Sequence, residues 1–312
     1  MKFARLLITS LFVVILLIGS TYFGIIRRYN GKFDDSWQHM IQLKYKRLAS
    51  ADSPRIIVIA GSSAAFGLDQ RMIEEETGFK VCNLGLQASI GPMYLCELAK
   101  KNVRKGDVIL FAYEYGWWNK WELFDSLRPD LLVSGIDNCY AMYEAIPLNK
   151  IPNFVGYIFE HRHKAKTYTG QSGTYSASSF DASDCQMIIS RGPCFTYNKE
   201  RDGVTDFSTM KIDEKCVKYF KKFKKQIESK GAEIYFTFPP VVDECVIGTE
   251  EEIQSFVNET EKMGIKVISS PQDYFLTTNY IYDGYCHCNS VGEILRTQQL
   301  LKDMKDNEVC KK

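Results

Sequence analysis

The sequence is short of several things. It has four histidines in 312 residues, and its 39 Lys and Arg are balanced by 38 Asp and Glu. A net charge of +1 leaves no footprint for nucleic acid or for an acidic substrate. No A-x-A cleavage site follows the N-terminal apolar run, no lipobox cysteine is present, and no later charge-free stretch matches that run in length. Ten cysteines are even in number but lack the dense spacing of a disulfide scaffold. Cys185 and Cys194 can close a loop, Cys82 and Cys96 read as core thiols, and the count does not set the compartment. Nor do the cysteines and histidines form the two spaced pairs that structural zinc takes. Cys286-His287-Cys288 is therefore read as no metal site, and no cofactor is expected.

One non-globular segment is present. Residues 6–26, LLITSLFVVILLIGSTYFGII, carry no charge across 21 positions. At 1.5 Å per residue a helix of that length crosses a hydrocarbon core of about 30 Å. Residues 1–28 are expected to be a retained anchor that makes the membrane a partner; a cleavable signal peptide is the rival reading. Lys2 and Arg5 precede the span, and Arg27, Arg28 and Lys32 follow it, so the positive-inside rule does not decide orientation. The five-residue tail before the span favours a signal-anchor with its body outside the cytoplasm, in the cell envelope. A juxtamembrane segment, residues 29–54, is expected to hold a helix near 34–49.

With 45% hydrophobic and 25% charged residues, the remainder has the composition of a folded domain, and a regular rhythm begins at residue 55. RIIVIA (55–60), FKVCNLG (79–85), DVILFAYEY (107–115), AEIYFTF (232–238) and IKVIS (265–269) read as strands. Segments 69–78, 91–106, 209–231, 250–264 and 291–304 read as helices between and after them. Alternation of this kind predicts right-handed crossovers and a five-stranded parallel sheet covered on both faces, an α/β fold of the doubly wound, flavodoxin-like type. The domain is expected over 55–312, interrupted at about 116–210 by an insertion with one or two helices and long loops.

Sites in such sheets lie at the carboxyl ends of strands. Three features fall there. VIAGSSAAFGLD (58–69) places Ser62 and Ser63 just past the first strand, where a serine can stand proud of the sheet. Alternatively this is an ordinary turn or helix cap. NLGLQAS (83–89) brings small residues to the end of the second strand. IYDGYCHCNSVG (281–292) carries Asp283 and His287 in one loop before the last helix, an acceptor and a base for a serine.

Together these blocks resemble the SGNH/GDSL hydrolase superfamily, in particular its membrane-anchored, extracytoplasmic members associated with polysaccharide biosynthesis. The likeness covers about 55–115 and 232–305. The family's G-D-S-L-x-x-G block falls on Gly61 to Gly67, which puts the nucleophile at Ser63 and leaves Ser62 in the place of the family's Asp. The N-x-G-x-x-G block falls on Asn83, Gly85 and Ala88, with Ala88 replacing a glycine whose amide holds the oxyanion. The third block departs from the pattern. Where the family has an Asn that completes the oxyanion hole, Glu114 and Tyr115 stand at the end of the third strand. Asp283 and His287 lie one residue further apart than in the usual D-x-x-H.

The resemblance implies a Ser63–His287–Asp283 triad with the Ser63 and Ala88 amides holding the oxyanion. It implies an esterase or O-acyltransferase acting on O-acyl, in particular acetyl, groups of a cell-surface glycan or another acylated small molecule. The alternative is a catalytically inactive relative that binds glycan or a membrane partner in polysaccharide assembly. Outside the resemblance, WWNKW (117–121) is either a sugar-stacking platform or a hydrophobic plug or membrane-facing patch. HRHK (161–164) and KKFKK (221–225) are read as solvated basic faces.

Overall fold

The computed structural model describes residues 2–310. In chain order the principal elements are helix α1 (Lys2–Arg28), α2 (Met40–Ser50), strand β1 (Arg55–Ile59), α3 (Ser62–Gly67), α4 (Gln70–Thr77), β2 (Lys80–Asn83), α5 (Pro92–Asn102) and β3 (Val108–Phe111). Then follow α6 (Pro129–Ile136), α7 (Ile158–Thr167), α8 (Glu214–Glu228), β4 (Glu233–Phe236), α9 (Glu250–Glu261), β5 (Lys266–Val267) and α10 (Ser290–Asp306). Two compact units divide the chain: residues 1–42 with 128–178, and residues 43–127 with 179–312.

The larger unit is α/β. Its central sheet has five parallel strands in the order β2-β1-β3-β4-β5. Arg55 pairs with Lys80, Ile56 with Val108, and Val108 with Glu233. Strands buried on both sides lose the polar alternation of half-exposed ones, which is why RIIVI is buried at every position. On one face, Ile56, Val58 and Leu110 share a core with Ile73 of α4 and with Leu300 and Met304 of α10. On the other, Phe111 meets Phe220 of α8 edge to face at 4.9 Å. The strand order runs outward in both directions from β1, so a crevice opens between the carboxyl ends of β1 and β3.

Local chemistry sets the ends of these elements. Asp69 caps α4 by accepting the Arg71 and Met72 amides, and Gly78 ends that helix at φ 71°. Asp213 caps α8, and Thr249 with Glu252 forms a capping box on α9. Below the sheet's amino edge, Arg55 and Asp107 form a buried ion pair (Nη2–Oδ2 2.5 Å), and the Asp107 carboxylate also accepts the Arg55 and Arg104 amides. WWNKW divides by burial. Trp118 is a core plug against Phe236 and Phe256, whereas Trp117 and Trp121 are only half-buried.

The smaller unit is helical. The apolar run lies in α1, a 27-residue helix long and apolar enough to cross a membrane. Residues Leu6 to Leu17 of α1 are exposed along its length, whereas Tyr22 and Ile26 near its end are buried. The expected helix near 34–49 forms as a 3-10 turn, Trp37–His39, running into α2. The insertion is more helical than expected. Between 128 and 178 it holds α6, α7 and the short helices Tyr140–Tyr143 and Ile151–Gly156. HRHK is not a solvated face throughout: His161 is 3% exposed, and Lys164 donates to the Asp130 carbonyl. KKFKK does present lysines outward, with Phe223 buried between them.

Candidate active site

β1 ends at Ile59, and the chain turns at Gly61 into α3. Only glycine fits there. A Cβ on Gly61 would lie 2.3 Å from Glu114 Oε2 and 2.8 Å from the Ala88 Cα. Gly85 is equally confined, since its Cβ would lie 2.7 Å from the Gly61 carbonyl oxygen and from the Ala64 Cβ. The ends of β1, β2 and β3 therefore converge on one turn. Asn83 ties two of them together: its Nδ2 donates to the Ala64 carbonyl, and its Oδ1 accepts the Gly85 amide.

The base loop meets this turn. His287 Nδ1 lies 2.8 Å from Asp283 Oδ1, and His287 Nε2 lies 2.8 Å from Ser62 Oγ. With the Nδ1 proton donated to the carboxylate, Nε2 is left to accept the serine proton. The ring is fixed in plane by Phe66 of α3, stacked on it at 4.3 Å between centroids and 8° between planes. The loop closes on itself through the Tyr282 amide to the His287 carbonyl and the His287 amide to the Gly284 carbonyl. Asn289 then caps α10 by accepting the Val291 and Gly292 amides.

The structure brings Asp283 and His287 together as the sequence suggested, but it brings Ser62 to the ring. The expected contact between Ser63 and His287 does not form. Ser63 is fully buried, and its hydroxyl has no hydrogen-bond partner among the described residues. Ser62 is partly exposed. The difference is one of phase: consecutive residues on a helix point about 100° apart, so at the start of α3 only one of two adjacent serines can face the loop.

Glu114 reaches the turn, where it binds backbone amides. Its buried carboxylate accepts the Ser63 amide at 2.7 Å and the Gly61 amide at 3.0 Å. It clamps the serine turn and engages the Ser63 amide. Tyr115 is 7% exposed, stacked on Phe238, and its hydroxyl has no hydrogen-bond partner among the described residues. Burial holds that hydroxyl well above the usual tyrosine range. Ala88 lies against the turn, its carbonyl accepting the Tyr113 hydroxyl and the Gly91 amide.

Sequence reasoning missed two arginines. Arg296 of α10 donates Nη1 to the Ser63 carbonyl at 2.7 Å. It is fully buried, and burial lowers its pKa while Cys288, Tyr274 and Glu114 act in the opposite direction. Arg191 donates to the Phe66 carbonyl and to the Cys288 carbonyl, so one guanidinium bridges the serine helix and the histidine loop. It also forms an ion pair with Glu293, Nη2 to Oε2 at 2.5 Å. A signal for Arg296 existed: Gly292, Arg296, Leu300 and Met304 recur every four residues, which puts an arginine on the buried stripe of α10.

The cysteines on either side of His287 are inert. Burial pushes Cys288 up to about 12 and Cys286 well above the ordinary thiol range, with Glu114 adding to the rise at Cys286. Both stay protonated at neutral pH and supply no thiolate nucleophile. All ten cysteines are free, and the Cys185–Cys194 loop is not closed.

No protein-family model and no curated protein matches the chain. Among solved structures, that of the protein YxiM from Bacillus subtilis is similar over 82% of this chain, at 11% identity and a TM-score of 0.37. The chain corresponds to 58% of that protein's length. A likeness this slight carries no argument about this chain's activity.

Proposed function

We propose that the chain is a membrane-anchored serine esterase or O-acyltransferase of SGNH type, on a doubly wound sheet, with Ser62 as nucleophile. The observation that carries the reading is the unbroken line Asp283–His287–Ser62, with 2.8 Å at each contact. Asp283 holds the tautomer, His287 Nε2 takes the Ser62 proton, and Ser62 Oγ attacks an ester carbonyl. The Ser62 and Ala88 amides are the proposed oxyanion donors, since Glu114 engages the Ser63 amide. His287 then returns the proton to the departing alkoxide, leaving an acyl-serine. Water or a sugar hydroxyl next attacks that ester and regenerates Ser62. The assignment of an O-acylated cell-surface glycan, and of the cell envelope as its compartment, rests on the family resemblance alone.

A second reading has one observation in its favour. Glu114 sets a carboxylate where the resembling family has an oxyanion-stabilising Asn, which suits a non-catalytic protein that binds glycan or a membrane partner. A fluorophosphonate probe on the full chain in detergent separates the two. Wild type is expected to label, Ser63→Ala to label, and Ser62→Ala and His287→Ala to lose at least about 10³-fold in rate. Labelling lost in Ser63→Ala and kept in Ser62→Ala would move the nucleophile to 63. No labelling of folded wild type would establish the non-catalytic reading.

A further inference from the structure

The helical unit contains an apolar groove that the proposed chemistry does not use. It lies along α1 between Ile18 and Phe23, has a volume of about 210 Å³, and is lined by Ile18, Tyr22 and Phe23 on one side and Tyr143, Ile151, Phe154 and Val155 on the other. Its rim is open: Ile18 is 38% exposed, Phe23 40% and Ile151 44%. The ring of Tyr143 meets those of Tyr22 and Phe23 edge to face, so the floor is built from aromatic contacts between elements.

The position of the groove along α1 identifies its occupant. A helix of 27 residues is about 40 Å long, roughly 10 Å more than a hydrocarbon core. The exposed apolar surface of α1 runs from Phe3 through Leu17 and continues without a break into the groove at Ile18 and Phe23. Exposed Arg27 and Arg28 follow about one helical turn after Phe23. The groove therefore sits where the span ends, at the depth at which acyl chains meet headgroups, and its tyrosines suit that boundary. The far wall carries the same signature: Leu148 is 83% exposed, with Lys150 between it and Ile151. Apolar tips with a lysine beside them are the pattern of a segment lying in the interface.

We propose that this groove seats the ester-proximal part of a bilayer lipid's acyl chain, and that segment 140–159 thereby rests in the membrane interface as a second contact beside the span. The chemistry required is a linear hydrocarbon entering from the side; no charged group lines the groove, so headgroup identity is not read there.

The test uses the full chain in phosphatidylcholine vesicles whose lipids carry a photoactivated diazirine, either near the ester or at the end of the acyl chain. The ester-proximal probe is expected to give adducts on the peptide containing Tyr143 and Ile151, and the chain-end probe on the first half of α1. Val155→Trp, which fills the groove, should cut the Tyr143–Ile151 adducts at least fivefold and leave the α1 adducts unchanged. Ile151→Asp, altered at an exposed rim position, should do the same without disturbing the fold. Adducts on α1 alone, or groove adducts indifferent to both variants, would overturn the proposal. So would groove peptides shielded by a crosslinked second copy of the chain.

Discussion

In the sheet unit Arg55, Glu114, Arg191 and Arg296 are buried, and each has a hydrogen-bonded partner. In the helical unit Leu148 and Phe159 stand 83% and 74% exposed, while His161 is buried with no hydrogen-bond partner on Nδ1 among the described residues. The first pattern belongs to a site that must hold atoms in place in water. Buried charges there are costly unless paired, and the pairing fixes the turn, the loop and the strand ends against one another. The second fits the membrane contact proposed above, where exposed apolar groups carry no penalty once lipid meets them.

The contrast can be broken in steps of decreasing size. Asp107→Ala strands the buried Arg55 guanidinium and two backbone amides, and should cost about 3–5 kcal/mol, read as a fall in the unfolding midpoint. A loss under about 1 kcal/mol would show that this ion pair contributes little. His161 tests the helical unit. Burial lowers its pKa from 6.5 to about 4, so the unfolded chain binds the proton more readily. Stability is full above about pH 6.5 and declines as pH falls towards 4, by about 3 kcal/mol across that window. His161→Phe should flatten this dependence when melting is compared at pH 7 and pH 5. Phe159→Ser should shift the melting free energy in detergent by less than about 0.5 kcal/mol, because the side chain has few protein contacts to lose. A large loss there would mean that Phe159 packs against protein.

Much of the sheet was legible in the sequence because buried parallel strands read as short continuous apolar runs and amphipathic helices as periodic stripes. RIIVI, KVCN and VILF carry no alternation, and α8 sets Phe220, Phe223 and Ile227 on one face with lysines opposite. Segment 128–178 was not legible, because its helices are short and half-buried and leave no sustained stripe. Within the site, Asp283 and His287 were legible as a spaced pair on one loop. The choice between Ser62 and Ser63 was not, since it turns on a single step of helical phase. The clamp by Glu114 was also hidden. A carboxylate at a strand end reads as a repulsive substituent until two amides are seen to point at it.

The helical unit is discontinuous in the chain: residues 1–42 and 128–178 build it, and the first three strands of the sheet are synthesised in between. Its contacts join residues far apart in the chain, such as Gln42 with Ile136 and Asp35 with Gln171, and long loops close late. During synthesis α1 leaves the ribosome, and is ready to enter a bilayer, well before Tyr143 and Phe154 exist to pack against it. The same arrangement bears on any shortened version of the protein. Cutting away α1 to gain solubility removes one half of a folding unit and leaves segment 128–178 without the helix it was made to meet.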